Sequence, residues 1–295
     1  MIARRSTGAS ALATPTIPDT KNAMAQQRTR GEAASLGFWA NTGPIHQMER
    51  EHAHADIELN FLYHGRVRYF FNGRFQEMPV GRLTAFWAAI PHRVVDSTSE
   101  SSFGWVCVPL AQFLRYDLSQ VATKRLLAGE FIVDQNEDPE DALRLRRWTT
   151  DCERKDPYDI QSVALEVEAR IRRLMRAGGP SRYHVSLGAS GRVEEIAGWI
   201  GAHYREELTL ALIGAAVGLH PNYAMTLFRS TCGMSVWRYV TRLRLAHAQR
   251  LLATTERTAL AIAMDSGFGS LNRFYEAFRK EFAMPPGEFR KRNRT

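Results

Sequence analysis

The stretches LALIGAAVGLHPNYAMTLF (residues 210–228) and ALAIAMDSGFGSLNRFYEAF (residues 259–278) follow one plan. Each begins with a short apolar segment rich in small residues. Gly218 or Gly267 follows, then Leu219 or Phe268, then a second amphipathic segment ending in Phe228 or Phe278. Small residues let two helices cross closely, and glycine supplies the positive φ that a tight connection needs. Pro221 suits the first turn of a helix and Ser270 an N-cap. The pattern predicts two helix-turn-helix units in an all-α region, and Ala215, Ala216 and Ala263 are the expected points of close approach.

Helical spacing divides each second helix into two faces. Leu219, Tyr223, Leu227 and Phe228 are expected inside in the first unit, and Phe268, Phe274 and Phe278 in the second. His220, Asn222, Met225 and Thr226 then face outward, as do Leu271, Asn272, Tyr275 and Glu276. Between the units, apolar residues recur from Val236 to Leu252 as on one long helix. A helix of ~17 residues spans about 25 Å. It could hold two recognition helices about one DNA turn, roughly 34 Å, apart on one side of a duplex.

Residues 186–292 resemble the DNA-binding domain of AraC-type transcription regulators. The resemblance is carried by GMSVWRYVTRLRLAHAQRLL (233–252), Ser266-Gly-Phe268 and MPPGEFR (284–290). The family often has arginine where this chain has Thr226 and Glu276, so direct guanine reading by Arg at those positions is lost. Asn222 or Asn272 can pair with adenine, Glu276 can accept from cytosine, and Met225 or Leu271 can touch a thymine methyl. Arg229, Arg273, Arg279 and Lys280 are expected on phosphates.

Charge follows the same division. The chain has 295 residues and a formal net charge of +8. Residues 181–295 hold sixteen Arg or Lys against nine Asp or Glu, and residues 1–35 hold five against two. The middle is therefore slightly acidic, and the excess positive charge lies where phosphate would sit. Three widely spaced cysteines (Cys107, Cys152, Cys232) suggest neither a disulfide framework nor a metal pair, which fits a reducing cytoplasm. No apolar run is long enough for a membrane span, and no apolar core follows Arg4 and Arg5 as in a signal peptide.

From Gly37 to about Val108 the apolar period changes to two. Residues 57–63, 67–71, 74–78, 83–90 and 103–108 read as strands, with Asn72-Gly73 as a hairpin turn. Many short strands predict a β-barrel or jelly roll, so the fold class is α+β. His52-Ala-His54, Glu58 and Gly65 have the spacing H-x-H-x3-E-x6-G. Gly81 is followed eleven residues later by His92 and four further on by Asp96. Both spacings resemble the two cupin motifs, although Trp87 and Ala89 stand where cupins commonly have Pro and Gly. The resemblance allows two uses. His52, His54, Glu58, Trp87 and His92 line a pocket for a small polar effector, as in AraC-type sensor domains. Alternatively, His52, His54, Glu58 and His92 hold a divalent metal, which three imidazoles and a carboxylate suit. The first reading needs no cofactor. Aromatic residues Tyr69, Phe86, Trp87 and Trp105 would stack against sugar rings or simply fill the interior.

The run from His52 to Asp96, with Asn222-Tyr-Ala-Met225 and Arg273-Phe-Tyr275, looks most like the melibiose-operon regulator branch of the family, which implies a carbohydrate effector. Residues 109–129 read as a helix leaving the barrel and 131–133 as an edge strand. Residues 140–155 and 159–177 form a helical hairpin, broken at Asp156-Pro157, for a homodimer contact or for covering the barrel. The expected organisation is a disordered tail at 1–35, an effector-binding barrel at 36–135, the hairpin at 136–177, a flexible linker at 178–185, and the DNA-binding domain at 186–295. The resemblance implies a cytoplasmic, effector-controlled regulator, an activator rather than an enzyme. Its partners would be double-stranded DNA, RNA polymerase and a second copy of itself. A metalloenzyme joined to a DNA-binding module, or an architectural DNA binder without effector, are the rivals.

Overall fold

The computed structural model describes residues 37–48, 51–182 and 190–293. The expected tail, and residues 183–185 of the expected linker, lie outside these.

The N-terminal half is built on two antiparallel sheets. The larger combines β1 (Trp39–Pro44), β2 (Asp56–His64), β5 (Leu83–Trp87), β7 (Ser102–Pro109), β8 (Ile132–Val133) and β9 (Gly179–Pro180), in the order β1-β7-β2-β5-β8-β9. The smaller combines β3 (Val67–Phe71), β4 (Arg74–Glu77) and β6 (His92–Ser97), in the order β4-β3-β6. Asn72 and Gly73 both have positive φ (47° and 80°), which matches the twist of the β3–β4 hairpin. Among the described residues the sheets meet through isolated bridges at His52–His92 and Leu62–Val80. Where the sequence suggested a β-barrel or jelly roll, the described residues form two sheets and no closed barrel.

Both faces of β2 are buried. Glu58 and Asn60 are buried, with Glu58 turned toward His92 of the smaller sheet. The opposite face, Ile57, Leu59 and Phe61, is also buried. Helices α1 (Leu110–Arg115) and α3 (Asp141–Arg154) pack on the larger sheet, and α2 (Gln120–Leu127) packs on β5. The polar stripe of β2 thus lines the space between the sheets, while the apolar stripe holds the helices.

Three expectations change here. Residues 109–129 form two helices, not one, because Asp117 takes a positive φ of 48° between them. β8 is internal, since β5 pairs on one side and Gly179–Pro180 on the other. The start of the expected flexible linker is thus a sheet strand. β1 and β6 carry no marked alternation and were not anticipated.

The hairpin of α3 and α4 (Pro157–Ala177) forms as expected. Asp156 caps α4 by accepting from Tyr158 N and Asp159 N, with Pro157 in the first turn. Buried Arg170 of α4 donates to Asp141 at 2.7 and 2.6 Å and to Asp134 at 2.6 Å, tying α4 to the start of α3 and the end of β8.

The C-terminal half is helical: α5 (Ser190–His203), α6 (Leu210–Ala216), α7 (Pro221–Cys232), α8 (Val236–Thr254), α9 (Ala259–Asp265), α10 (Leu271–Phe282) and α11 (Pro286–Asn293). No single helix among the described residues is long and apolar enough to cross a membrane. The halves pack together. Phe70 and Phe75 on the outer face of the β3–β4 hairpin share a core with Val193, Ile196, Ala197 and Ile200 of α5. Glu194 accepts the Phe75 N–H at 2.8 Å. α11 packs on both α8 and α1.

Candidate functional site

The two helix-turn-helix units are built alike. α6 and α7 meet at 85°. Thr209 caps α6, and Thr258 caps α9, each accepting the N–H three residues on. Ser270 caps α10 in the same way at 3.3 Å, while His220 caps α7 through Nδ1, which accepts from Asn222 N at 3.3 Å. Gly218 and Gly267 have φ of +64° and +86°. The close approach in the first unit falls at Gly214: a Cβ there would lie 2.6 Å from Leu219 O and 3.2 Å from Pro221 N. Ala215 and Ala216, expected at that contact, are exposed. In the second unit Ala263 is buried as expected.

Each second helix buries a stripe at four-residue spacing: Ala224, Phe228 and Cys232 in α7, and Phe274, Phe278 and Phe282 in α10. Phe228 packs on Tyr239 of α8, and Phe278 packs on Phe289 of α11. The opposite faces are open. In α7, Asn222, Tyr223, Thr226 and Arg229 are exposed and Met225 is half-buried. In α10, Asn272, Arg273, Glu276, Arg279 and Lys280 are exposed, while Leu271 and Tyr275 are half-buried. Tyr223 departs from expectation, being 57% exposed rather than part of the buried stripe. The signal was in the sequence: Tyr223 stands fifty positions before Arg273, at the same point of its helix. The Arg279 guanidinium lies 5.8 Å from the centre of the Tyr275 ring. The two helices offer polar, hydrogen-bonding side chains with flanking cations, the arrangement that reads base edges and holds phosphates.

The second constellation lies between the two β sheets. One donor atom each from His52, His54, Glu58 and His92 lies within 4.8 Å of the others. His54 Nδ1 is 2.9 Å from Asp56 Oδ2, and its Nε2 is 2.6 Å from Glu58 Oε1. His92 Nδ1 is 3.0 Å from Ile90 O, and its Nε2 is 3.5 Å from Glu58 Oε1. The rings of His52 and His92 are 4.1 Å apart. Burial opposes the charged form of both His54 and Glu58. Their contacts outweigh it: Asp56 and Glu58 hold the His54 imidazolium up to about 9, and His54 and His92 hold Glu58 well below the usual carboxylate range.

Trp87 is not in this cluster. In the β2–β5 register Phe86 stands opposite Glu58 and Trp87 opposite Ile57, so Trp87 faces the other side of the sheet. Phe86, by contrast, lies against His92 at 5.0 Å between ring centres. Tyr69, Phe86 and Phe131 pack on one another, so the aromatic side chains here fill the interior. Asp56, which orients His54, was missed, because no spacing rule marks a carboxylate that acts behind a ligand.

Paired helix-turn-helix units on a long central helix, with open polar faces, define a double-stranded DNA-binding protein. A family model described as a helix-turn-helix domain matches residues 213–292. The melibiose operon regulatory protein of Escherichia coli (strain K12) is 28% identical over 256 residues, 83% of this chain and 85% of that protein. Regulatory protein SoxS of Escherichia coli (strain K12) is 30% identical over 100 residues, covering 34% of this chain and 94% of SoxS. Among solved structures, ToxT from Vibrio cholerae O395 aligns over 87% of this chain and 98% of its own, at 12% identity and a TM-score of 0.37. The chain belongs to the AraC-type family of transcription regulators.

Proposed function

We propose that this is a sequence-specific transcription activator whose N-terminal half, an open two-sheet relative of the cupin jelly roll, receives a small-molecule signal. The observation that carries the DNA-reading role is the repeated open face: Asn222, Thr226 and Arg229 on α7 recur as Asn272, Glu276 and Arg279 on α10, fifty positions on. In this reading α7 and α10 enter successive major grooves. His220, Asn222, Met225, Thr226, Leu271, Asn272 and Glu276 meet bases, and Arg229, Arg273, Arg279 and Lys280 meet phosphates. The similarity to a regulator of the melibiose operon supports a carbohydrate effector, with His52, His54, Glu58 and His92 as polar anchors and residues 36–135 as the sensor. Residues 136–177 would carry the homodimer contact; Leu143, Tyr158 and Leu165 on α3 and α4 are 62–81% exposed. RNA polymerase completes the partners of an activator.

The test starts from DNA selected by the purified full-length protein out of a random pool. Asn272→Ala should then lose about 1–3 kcal/mol of discrimination at one base pair while binding other variants as before. Equal binding of every base at every selected position would refute the reading role of α10. A thermal-shift screen against sugars addresses the effector separately. A sugar at 100 times its dissociation constant adds about 2.7 kcal/mol of stability.

A further inference from the structure

We propose that each sheet of the N-terminal half grips one helix-turn-helix unit, the first through the β3–β4 hairpin, so that the tilt between the sheets sets the angle between α7 and α10. That an effector uses this angle rests on the sensor reading given above. The grip itself does not depend on that reading.

Apolar packing divides the molecule elsewhere than at the join between its halves. The core of the second unit, with Phe268, Phe278 and Phe289, is continuous with the interior of the β-sheet half. The core of the first unit, with Ile213, Phe228 and Tyr239, is a separate cluster. Its buried N-terminal members are Phe70 and Phe75, whose rings pack 5.1 Å apart on the outer face of the hairpin. The two cores meet on α8, where Leu243 belongs to the first and Leu245 to the second. Polar contacts follow the same division. Glu194 of α5 accepts the Phe75 N–H at 2.8 Å, and Arg93 of β6 donates to Thr231 O near the end of α7. α5 lies so close on the hairpin turn that a Cβ at Gly73 would stand 3.0 Å from Ala197 Cβ. The second unit rests instead on the larger sheet: α11 packs on α1, and α1 packs on β2 and β7. Ala53 and Ala89 line one small gap with Leu245 and Phe282.

The path from the inter-sheet space to the first unit is one residue long. Across β3 and β6, Phe71 pairs with His92 and Phe70 pairs with Arg93. Neighbouring side chains on a strand point to opposite faces. Phe71 packs on Phe86 and Phe131, and His92 packs on Phe86, all between the sheets. Phe70 and Arg93, next along each strand, hold the first unit. Among the described residues the sheets are joined by the bridges His52–His92 and Leu62–Val80. A displacement at Phe71 or His92 therefore tilts the smaller sheet about these bridges. Close-packed side chains transmit such a tilt rather than absorb it. The first unit moves with the hairpin, while α10 stays with the larger sheet.

The test uses full-length protein and no sugar. Cys152→Ser removes the half-buried thiol, and Cys107 and Cys232 are buried. Nitroxide labels go on Ser230→Cys of α7 and Ala283→Cys at the end of α10, both exposed positions. Phe71→Leu, which thins the packing between the sheets, should shift the label-to-label distance by roughly 1–2 Å. With Phe75→Ala also present, the distance should no longer follow Phe71→Leu. Phe75→Ala alone should speed amide exchange at least roughly tenfold in peptides spanning 210–232 and leave 259–293 unchanged. Far-ultraviolet circular dichroism is the folding control. Should a variant fail to fold, Glu194→Ala replaces Phe75→Ala and Phe71→Met replaces Phe71→Leu. A distance that ignores the Phe71 substitution, or follows it equally with and without the hairpin contact, overturns the coupling. Exchange that rises alike in both units, or in neither, overturns the grip. Neither result depends on the sugar screen or on the selected DNA, so a failure here is separable from a failure of the proposed function.

Discussion

At the scale of single residues, two positions show how local geometry limits substitution. Gly267 combines a φ of +86° with a crowded surround, since a Cβ there would sit 2.7 Å from Arg205 O. Gly267→Ala should therefore lower the denaturant midpoint, by about 2 kcal/mol or more in stability. Gly218→Ala meets no described atom within 4 Å and carries only the cost of its +64° backbone, so the midpoint shift should be smaller. Equal shifts would show that the chain around Arg205 relaxes freely. His247 offers a pH test. Burial, then Arg250 and Arg205, push its imidazole down to about 4, with Asp265 opposing and Arg257 adding to the effect. Its ring lies 2.6 Å from the Tyr204 hydroxyl. The unfolded chain protonates this histidine near 6.5 and the folded one only near 4. Stability is thus full above about 6.5 and declines as pH falls through that window. In urea melts at pH 7 and pH 4.5, His247→Gln should lose less stability than the parent, by about 1–3 kcal/mol. An identical pH dependence in both would exclude His247 as the cause.

Elements show which parts were legible from sequence and which were not. The helices α7, α8 and α10 were readable because their apolar stripes, caps and glycines agree with one another. Strands β2, β3, β5 and β7 followed from their alternation, and the β3–β4 turn from Asn72-Gly73. β1 and β6 went unread because neither alternates cleanly: WANTGP and HRVVDS owe their form to partners far along the chain. The four ligand-type residues of the cluster could be found by spacing. The side of the sheet on which Trp87 lies depends on register and could not. The α3–α4 hairpin illustrates what a pattern of apolar residues omits. Its apolar stripe was visible, but not that Arg170 would be buried between Asp134 and Asp141. Arg170→Met removes the cation and leaves two buried carboxylates, which should cost about 3–5 kcal/mol. A cost below about 1 kcal/mol would mean that the carboxylates recruit Arg144, which already reaches Asp141 at 3.1 Å.

At the scale of the whole molecule, the uneven charge should appear in the response to salt. DNA affinity should fall linearly with the logarithm of salt concentration, with a slope set by the number of neutralised phosphates. Removing Arg279 or Lys280 should weaken binding to all sequences alike and reduce that slope by about one for each phosphate no longer neutralised. A slope unchanged by both substitutions would move the phosphate-binding role to other side chains. The lower net charge of the N-terminal half keeps its contribution to this effect small.

Helix α8 buries thirteen of its nineteen residues, with partners in both halves. Grafting this DNA-binding half onto a foreign sensor would strand Arg242, Leu245 and Gln249, whose neighbours Glu51, Ala53 and Ala89 would stay behind. A chimaera would therefore have to import those three neighbours as well, or accept a hybrid whose output no longer answers to its input.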